Sequence, residues 1–112
     1  MQQILEIMQL KFEEDYLRDL YSMGKTKDKH HRFQPQVVRG YQKALNLLKM
    51  ANRIEDLFVF SSLNFESLSG NKSGRYSIRA NGQYRIEFLI ENEGDQMQVS
   101  ICNILELSNH YQ

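Results

Sequence analysis

The chain has 112 residues, one cysteine, and 14 basic against 14 acidic side chains, so its formal net charge is zero. That length supports a single domain over residues 1–112 with one core, while the lone Cys102 excludes an internal disulfide and a cysteine-rich metal centre. No basic stretch leads into an apolar run with a small-residue cleavage site, and no apolar segment reaches bilayer-spanning length. A cytoplasmic protein without a membrane partner is expected. The zero total conceals charge blocks. Residues 25–53 carry Lys25, Lys27, Lys29, Arg32, Arg39, Lys43, Lys49 and Arg53 against Asp28 alone, and residues 72–90 carry Lys72, Arg75, Arg79 and Arg85 against Glu87. Acidic blocks at 1–24, 54–71 and in the tail restore the balance. A cationic face on a neutral chain is the footprint of a polyanionic partner, or simply a solvated lysine-rich surface.

In chain order, Ile4 to Leu10 reads as a strand. Phe12, Tyr16, Leu17, Leu20 and Tyr21 recur at helical spacing, with Glu13, Glu14 and Asp15 where acids complement the helix dipole and Gly24 where a helix ends. The basic Lys25-to-Gln34 stretch is a loop with scope for mobility. Pro35 suits the first turn of a second helix with an apolar stripe of Val38, Tyr41, Leu45 and Leu48, and Arg39 and Lys43 lie four apart on another face. A short turn over Ile54 to Phe60 leads to a brief strand near Phe65 to Leu68, then a polar turn from Ser69 to Ser73. After the hairpin described next, a turn at Glu91 to Asp95 precedes a strand from Met97 to about Leu107, with an irregularity at Asn103-Ile104. Two helices followed by sequential antiparallel strands predict an α+β fold: two N-terminal helices packed on one face of an antiparallel sheet of four to five strands. The other face is partly polar and is the natural working surface.

Gly74 to Phe88 is the most informative stretch, two alternating runs around Asn81-Gly82. A two-residue turn there would pair Arg79 with Tyr84 and put the arginines on opposite faces. A three-residue loop, Ala80-Asn81-Gly82 with Gly82 left-handed, puts Tyr76, Ile78, Tyr84, Ile86 and Phe88 on one face and Arg75, Ser77, Arg79, Gln83, Arg85 and Glu87 on the other. Burial favours the second register. Two guanidinium groups side by side then suit a phosphate, although solvent-facing arginines are often merely solvated. Glu87 is a carboxylate that can sit between them.

The residues of this stretch, together with Asn64-Phe65-Glu66-Ser67-Leu68-Ser69-Gly70 and the Ser-Asn-His-Tyr ending, resemble the RelE/ParE superfamily of bacterial toxins, specifically its HigB-like branch. The resemblance covers most of the chain from Pro35 onward. It implies the RelE-like fold and a type II toxin that cleaves mRNA in the ribosomal A site without a metal or other cofactor. It also implies a helix-turn-helix antitoxin, HigA-like, as partner. In such enzymes the ribose 2′-hydroxyl attacks the adjacent phosphate, which needs positive charge on the transition state and a base and acid at the two oxygens. By this resemblance Arg79 and Arg85 hold the phosphate, His110 transfers a proton or stabilises the leaving group, and Tyr111 stacks on a base or donates a hydrogen bond. Glu66 stands where some relatives have a histidine and joins the catalytic set. Lys72, two residues past Gly70, stands in for the lysine replaced by Ser69. Arg75, Asn81, Arg39 and Lys43 complete the expected substrate-binding set, the last two facing rRNA phosphates. Ser108 and Asn109 occupy positions where many relatives have aspartate and tyrosine. Two other readings share the scaffold: a ParE-like gyrase poison without hydrolytic chemistry, and a binding module that has lost catalysis. His30-His31 is more readily part of the cationic patch than a metal site.

Overall fold

The computed structural model describes residues 7–51, 54–93 and 99–109. Five strands, β1 (Ile7–Phe12), β2 (Glu66–Ser67), β3 (Tyr76–Arg79), β4 (Tyr84–Glu93) and β5 (Val99–Asn109), form one sheet in the order β1-β5-β4-β3-β2. Helices α1 (Asp15–Met23) and α2 (Pro35–Met50) precede β2 in the chain. The α+β architecture with both helices on the sheet is therefore present. Strands β2 to β5 pair antiparallel with one another, while β1 lies parallel to β5. A parallel edge requires a long crossover, and both helices lie in the chain between β1 and β5.

The helical stripes pack where their spacing predicts. Tyr16, Leu17 and Leu20 of α1 and Val38, Tyr41, Leu45 and Leu48 of α2 join Ile78, Ile86, Phe88, Cys102 and Ile104 of the sheet in one buried cluster. The Tyr41 hydroxyl donates to the Leu17 carbonyl at 2.7 Å, tying the helices together inside that cluster. Gly24 ends α1 at φ 75°, and its N–H reaches the Leu20 carbonyl. Phe12 belongs to β1 rather than to the helix, because Glu14 is still extended at the cap position. The basic 25–34 loop is anchored: the His31 ring stacks on Tyr16 at 3.6 Å, and Phe33 meets the Tyr84 ring edge-on.

The hairpin keeps the expected faces but moves its loop by one residue. Arg79 pairs directly with Arg85, and Ile78 with Ile86, which leaves Asn81-Gly82-Gln83 at the tip. Gly82 is not left-handed. Asn81 shapes the turn instead, its Oδ1 accepting from the N–H groups of Gln83 (2.9 Å) and Tyr84 (2.7 Å). The side-chain period is two, so shifting the pairing by two residues leaves every side chain on its predicted face. Strand β4 continues through Glu93, beyond the turn expected from Glu91, because Asn92 and Glu93 still pair with Ser100 and Val99. The irregularity in β5 is at Leu105, one residue past the expected site, where the pairing jumps from Ile104 to Glu106.

Candidate functional site

The outer, helix-free face of the sheet carries charge in rows. Glu66 pairs with Ser77, Ser77 with Glu87, and Glu87 with Glu106, so these four residues cross the sheet side by side. One step toward the hairpin tip, Arg79, Arg85 and Ser108 form the next row. Directly opposed residues of antiparallel strands project the same way with Cα atoms about 5 Å apart. The two arginines therefore share one face by backbone register alone.

Glu87 organises this face. Its side chain is 0 % exposed and accepts from Lys72 Nζ (2.8 Å), Arg75 Nη1 (3.1 Å) and Arg85 Nε (3.2 Å). Burial pushes the Glu87 carboxyl upward, but Lys72 first, then Arg85 and Arg75, outweigh it and hold the group below its ordinary value. Glu106 adds longer contacts to Lys72 (3.9 Å) and Arg75 (3.6 Å). Lys72 and Arg75 are thus turned onto the carboxylate row.

Arg85 spends only its Nε on Glu87, and its side chain is 18 % exposed. Arg79 is exposed and, among the described residues, makes no hydrogen bond or ion pair. Both line a small cleft with Asn64, Glu66, Ser77, Asn81 and Tyr84. Asn64 is left-handed at φ 46°, a conformation asparagine tolerates, and its Nδ2 donates to Glu66 Oε1 at 3.1 Å. The cleft thus gathers Glu66, Arg79, Asn81 and Arg85 from the predicted set. Chemically it offers one pre-set guanidinium, one unengaged guanidinium and a carboxylate acceptor, which fits an anionic oxygen centre beside a hydroxyl.

Lys43 lines a neighbouring depression with Arg79, Asn81 and Gly40, whereas Arg39 lies exposed on α2. Gly40 admits the hairpin tip: a Cβ there would stand 2.1 Å from the Ala80 carbonyl oxygen. A glycine inside a helix with an apolar stripe is a readable signal of such a close approach. His110 and Tyr111 lie outside the described residues; β5 ends at Asn109, opposite Tyr84. His31 holds Asp28 Oδ2 through Nδ1 at 2.8 Å, and that contact, with the His30 N–H, lowers the Asp28 carboxyl. Among the described residues no three His, Cys, Asp or Glu side chains converge as metal ligands. Burial pushes the Cys102 thiol up to about 12, so it is not a thiolate near neutrality.

Residues 10–100 match the family model of a RelE-like toxin of the type II toxin-antitoxin system HigB. The chain belongs to the HigB-like branch of the RelE/ParE toxin superfamily. It is 35% identical over 82 residues to Toxin HigB-1 of Vibrio cholerae, covering 72% of this chain and 82% of that protein. An uncharacterised Haemophilus influenzae protein is 30% identical over 81 residues, covering 72% and 77%. Two solved structures share the fold at 17% identity. They are a YoeB/ParE toxin from Agrobacterium tumefaciens (TM-score 0.52, 93% of this chain and 100% of that one) and a YoeB-YefM complex from Staphylococcus aureus (0.53, 93% and 98%). Membership of the HigB-like family makes this a bacterial toxin of a type II system. Among the described residues no helix is long and apolar enough to cross a membrane.

Proposed function

We propose that this HigB-like toxin is an endoribonuclease cutting mRNA on the ribosome, held in check by a HigA-like helix-turn-helix antitoxin. All 112 residues act as one domain in the cytoplasm. The observation that carries this reading is the cross-strand Arg79–Arg85 pair, with Arg85 steadied by a fully buried Glu87. Such a pair suits a phosphate passing to a more negative, five-coordinate transition state, and the field then does the work a metal does elsewhere.

In this mechanism the ribose 2′-oxygen attacks the neighbouring phosphorus and the bond to the 5′-oxygen breaks. Glu66, oriented by Asn64, takes the 2′-hydroxyl proton; His110, which follows Asn109 in the chain, gives a proton to the departing 5′-oxygen. The products are a 2′,3′-cyclic phosphate and a free 5′-hydroxyl. Asn81 borders the phosphate, Lys72 and Arg75 hold the Glu87 carboxylate that steadies Arg85, and Tyr111 stacks on a base. Arg39 and Lys43, both exposed on α2, meet ribosomal RNA phosphates.

The test is to induce the toxin in cells, map mRNA 5′ ends, and repeat with Arg85→Ala and His110→Ala. Loss of a transition-state donor predicts at least about a hundredfold fall in cleavage for Arg85→Ala. Codon-phased cuts that vanish in both variants support the nuclease. Growth arrest with intact mRNA and broken DNA would instead assign the ParE-like action on gyrase.

A further inference from the structure

The two arginines of the cleft are held by different means. Arg85 is steadied through its side chain, with Nε resting on the buried Glu87 carboxylate. Arg79 is exposed and, among the described residues, its side chain has no hydrogen bond or ion pair. Its placement therefore depends on backbone. Arg79 is the last residue of β3 and pairs with Arg85, and a hairpin tip beyond such a pair frays unless something holds it. The next residue, Ala80, is half-buried, and its N–H donates to the Tyr84 carbonyl at 2.9 Å.

The Ala80 carbonyl meets α2 at Gly40. A Cβ on residue 40 would stand 2.1 Å from the Ala80 carbonyl oxygen, 3.0 Å from its carbonyl carbon and 3.7 Å from the Asn81 Cβ. The two nearest atoms are backbone, so no flexible side chain can swing aside. The oxygen would have to retreat by roughly an ångström before ordinary contact is restored. Gly40 lies inside a helix of 16 residues and has no positive φ, so its conformation does not call for glycine. Alanine is the better helix former, because glycine loses more backbone freedom on folding. The close approach is what requires a residue without a side chain. Gly82, at the apex of the same tip, is the contrast: a Cβ there meets nothing within 4 Å.

We propose that Gly40 is the positioning residue for Arg79: it lets the α2 backbone close onto the Ala80 carbonyl, clamping the peptide that follows Arg79 between α2 and Tyr84 and holding the guanidinium beside that of Arg85. Gly40 does for Arg79 through backbone contact what Glu87 does for Arg85 through charge. The helix is the firm side of this clamp, since Val37, Val38, Tyr41, Ala44 and Leu45 around Gly40 are buried. Crowding at residue 40 therefore moves the hairpin tip rather than α2. This role rests on the nuclease reading for its activity readout, but its geometric readout does not.

The experiment measures mRNA cleavage on ribosomes by the full-length toxin, at a temperature where circular dichroism shows every variant folded. Gly40→Ala is expected to lower kcat at least about tenfold with KM within about twofold, the signature of a misplaced group rather than weakened docking. Gly82→Ala, on the same tip, is expected to leave both unchanged. On an Arg79→Ala background the Gly40→Ala loss should shrink to at most about twofold, because two changes acting through one group do not add. On a Lys43→Ala background the full loss should persist. Additive losses with Arg79→Ala, or a loss that vanishes with Lys43→Ala, would overturn the proposal. A crystal structure of Gly40→Ala is expected to show the Ala80 peptide drawn off α2 and Arg79 shifted relative to Arg85; Arg79 in its wild-type place would overturn it. Hydrogen exchange on the wild type needs no variant. A clamped Ala80 N–H should exchange within about tenfold of the paired β4 N–H groups, and exchange as fast as unstructured chain would again overturn the role. A wild type that cuts no mRNA defeats the nuclease reading, while the structure and the exchange rates still decide the role of Gly40.

Discussion

The two cationic regions of this toxin differ in a way their charge counts do not suggest. Residues 25–53 carry far more net positive charge than residues 72–90. Yet Arg39, Lys43 and Lys49 on α2 are simply exposed, whereas Lys72, Arg75 and Arg85 converge on one carboxylate within 3.2 Å. The first region makes a field that falls off with the Debye length; the second makes directions. What separates them is Glu87, an acid at the centre of the sheet that turns repelling cations into an ordered set. Counting charge measures attraction at a distance, but chemistry at a phosphate needs guanidinium groups held in place.

That contrast predicts unequal responses to mutation. Glu87→Ala should have the largest effect on stability, since it leaves Arg85 largely buried without its counter-ion. Lys72 and Arg75 are each more than a third exposed and can return to water, so the loss in urea unfolding is expected at about 3 kcal/mol, the low end for a broken buried pair. Wild-type stability in Glu87→Ala would mean that the three cations need no organiser.

A smaller effect concerns acid. The folded carboxyl of Glu87 is held below its unfolded value, so its contribution is present above about pH 4.3 and is lost as pH falls through the depressed folded value. The stability difference between wild type and Glu87→Gln should therefore be constant near neutrality and shrink below about pH 4.3. A difference that stays flat down to pH 3 would break the argument.

Least sensitive should be the α2 surface. Arg39→Ala combined with Lys43→Ala is expected to change stability by no more than about 0.5 kcal/mol. The same pair should lower the salt slope of ribosome binding by about 1 to 2, one phosphate contact per cation. A double variant that unfolds like Glu87→Ala would erase the distinction between the regions.

Much of this arrangement is legible from residue order. Pro35 and Gly24 mark helix ends because proline lacks the donor a first turn does not use and glycine reaches left-handed φ without strain. The alternation of Tyr76 to Phe88 decides which face Arg79 and Arg85 occupy, since a sheet has only two faces and burial chooses between them. The turn itself was less legible. Asn81-Gly82 suggests a left-handed glycine, but the Asn81 side chain bonds the backbone of Gln83 and Tyr84 and takes over that role. The resemblance to HigB-like toxins rests on the same hairpin and carries the reading further than periodicity can.

Other features needed the folded chain. Lys72 looks from the sequence like a replacement for a lost loop lysine; in space it belongs to Glu87. Nothing local indicates that Glu13 and Asn103, ninety positions apart, meet over a buried orphan oxygen, or that β1 lies parallel to β5. The physical reason is range. Periodicity, capping and turn chemistry act over a few residues and are written into the order of side chains. Which carboxylate faces which cation depends on strand pairing across the whole chain, and only burial and backbone register together decide it.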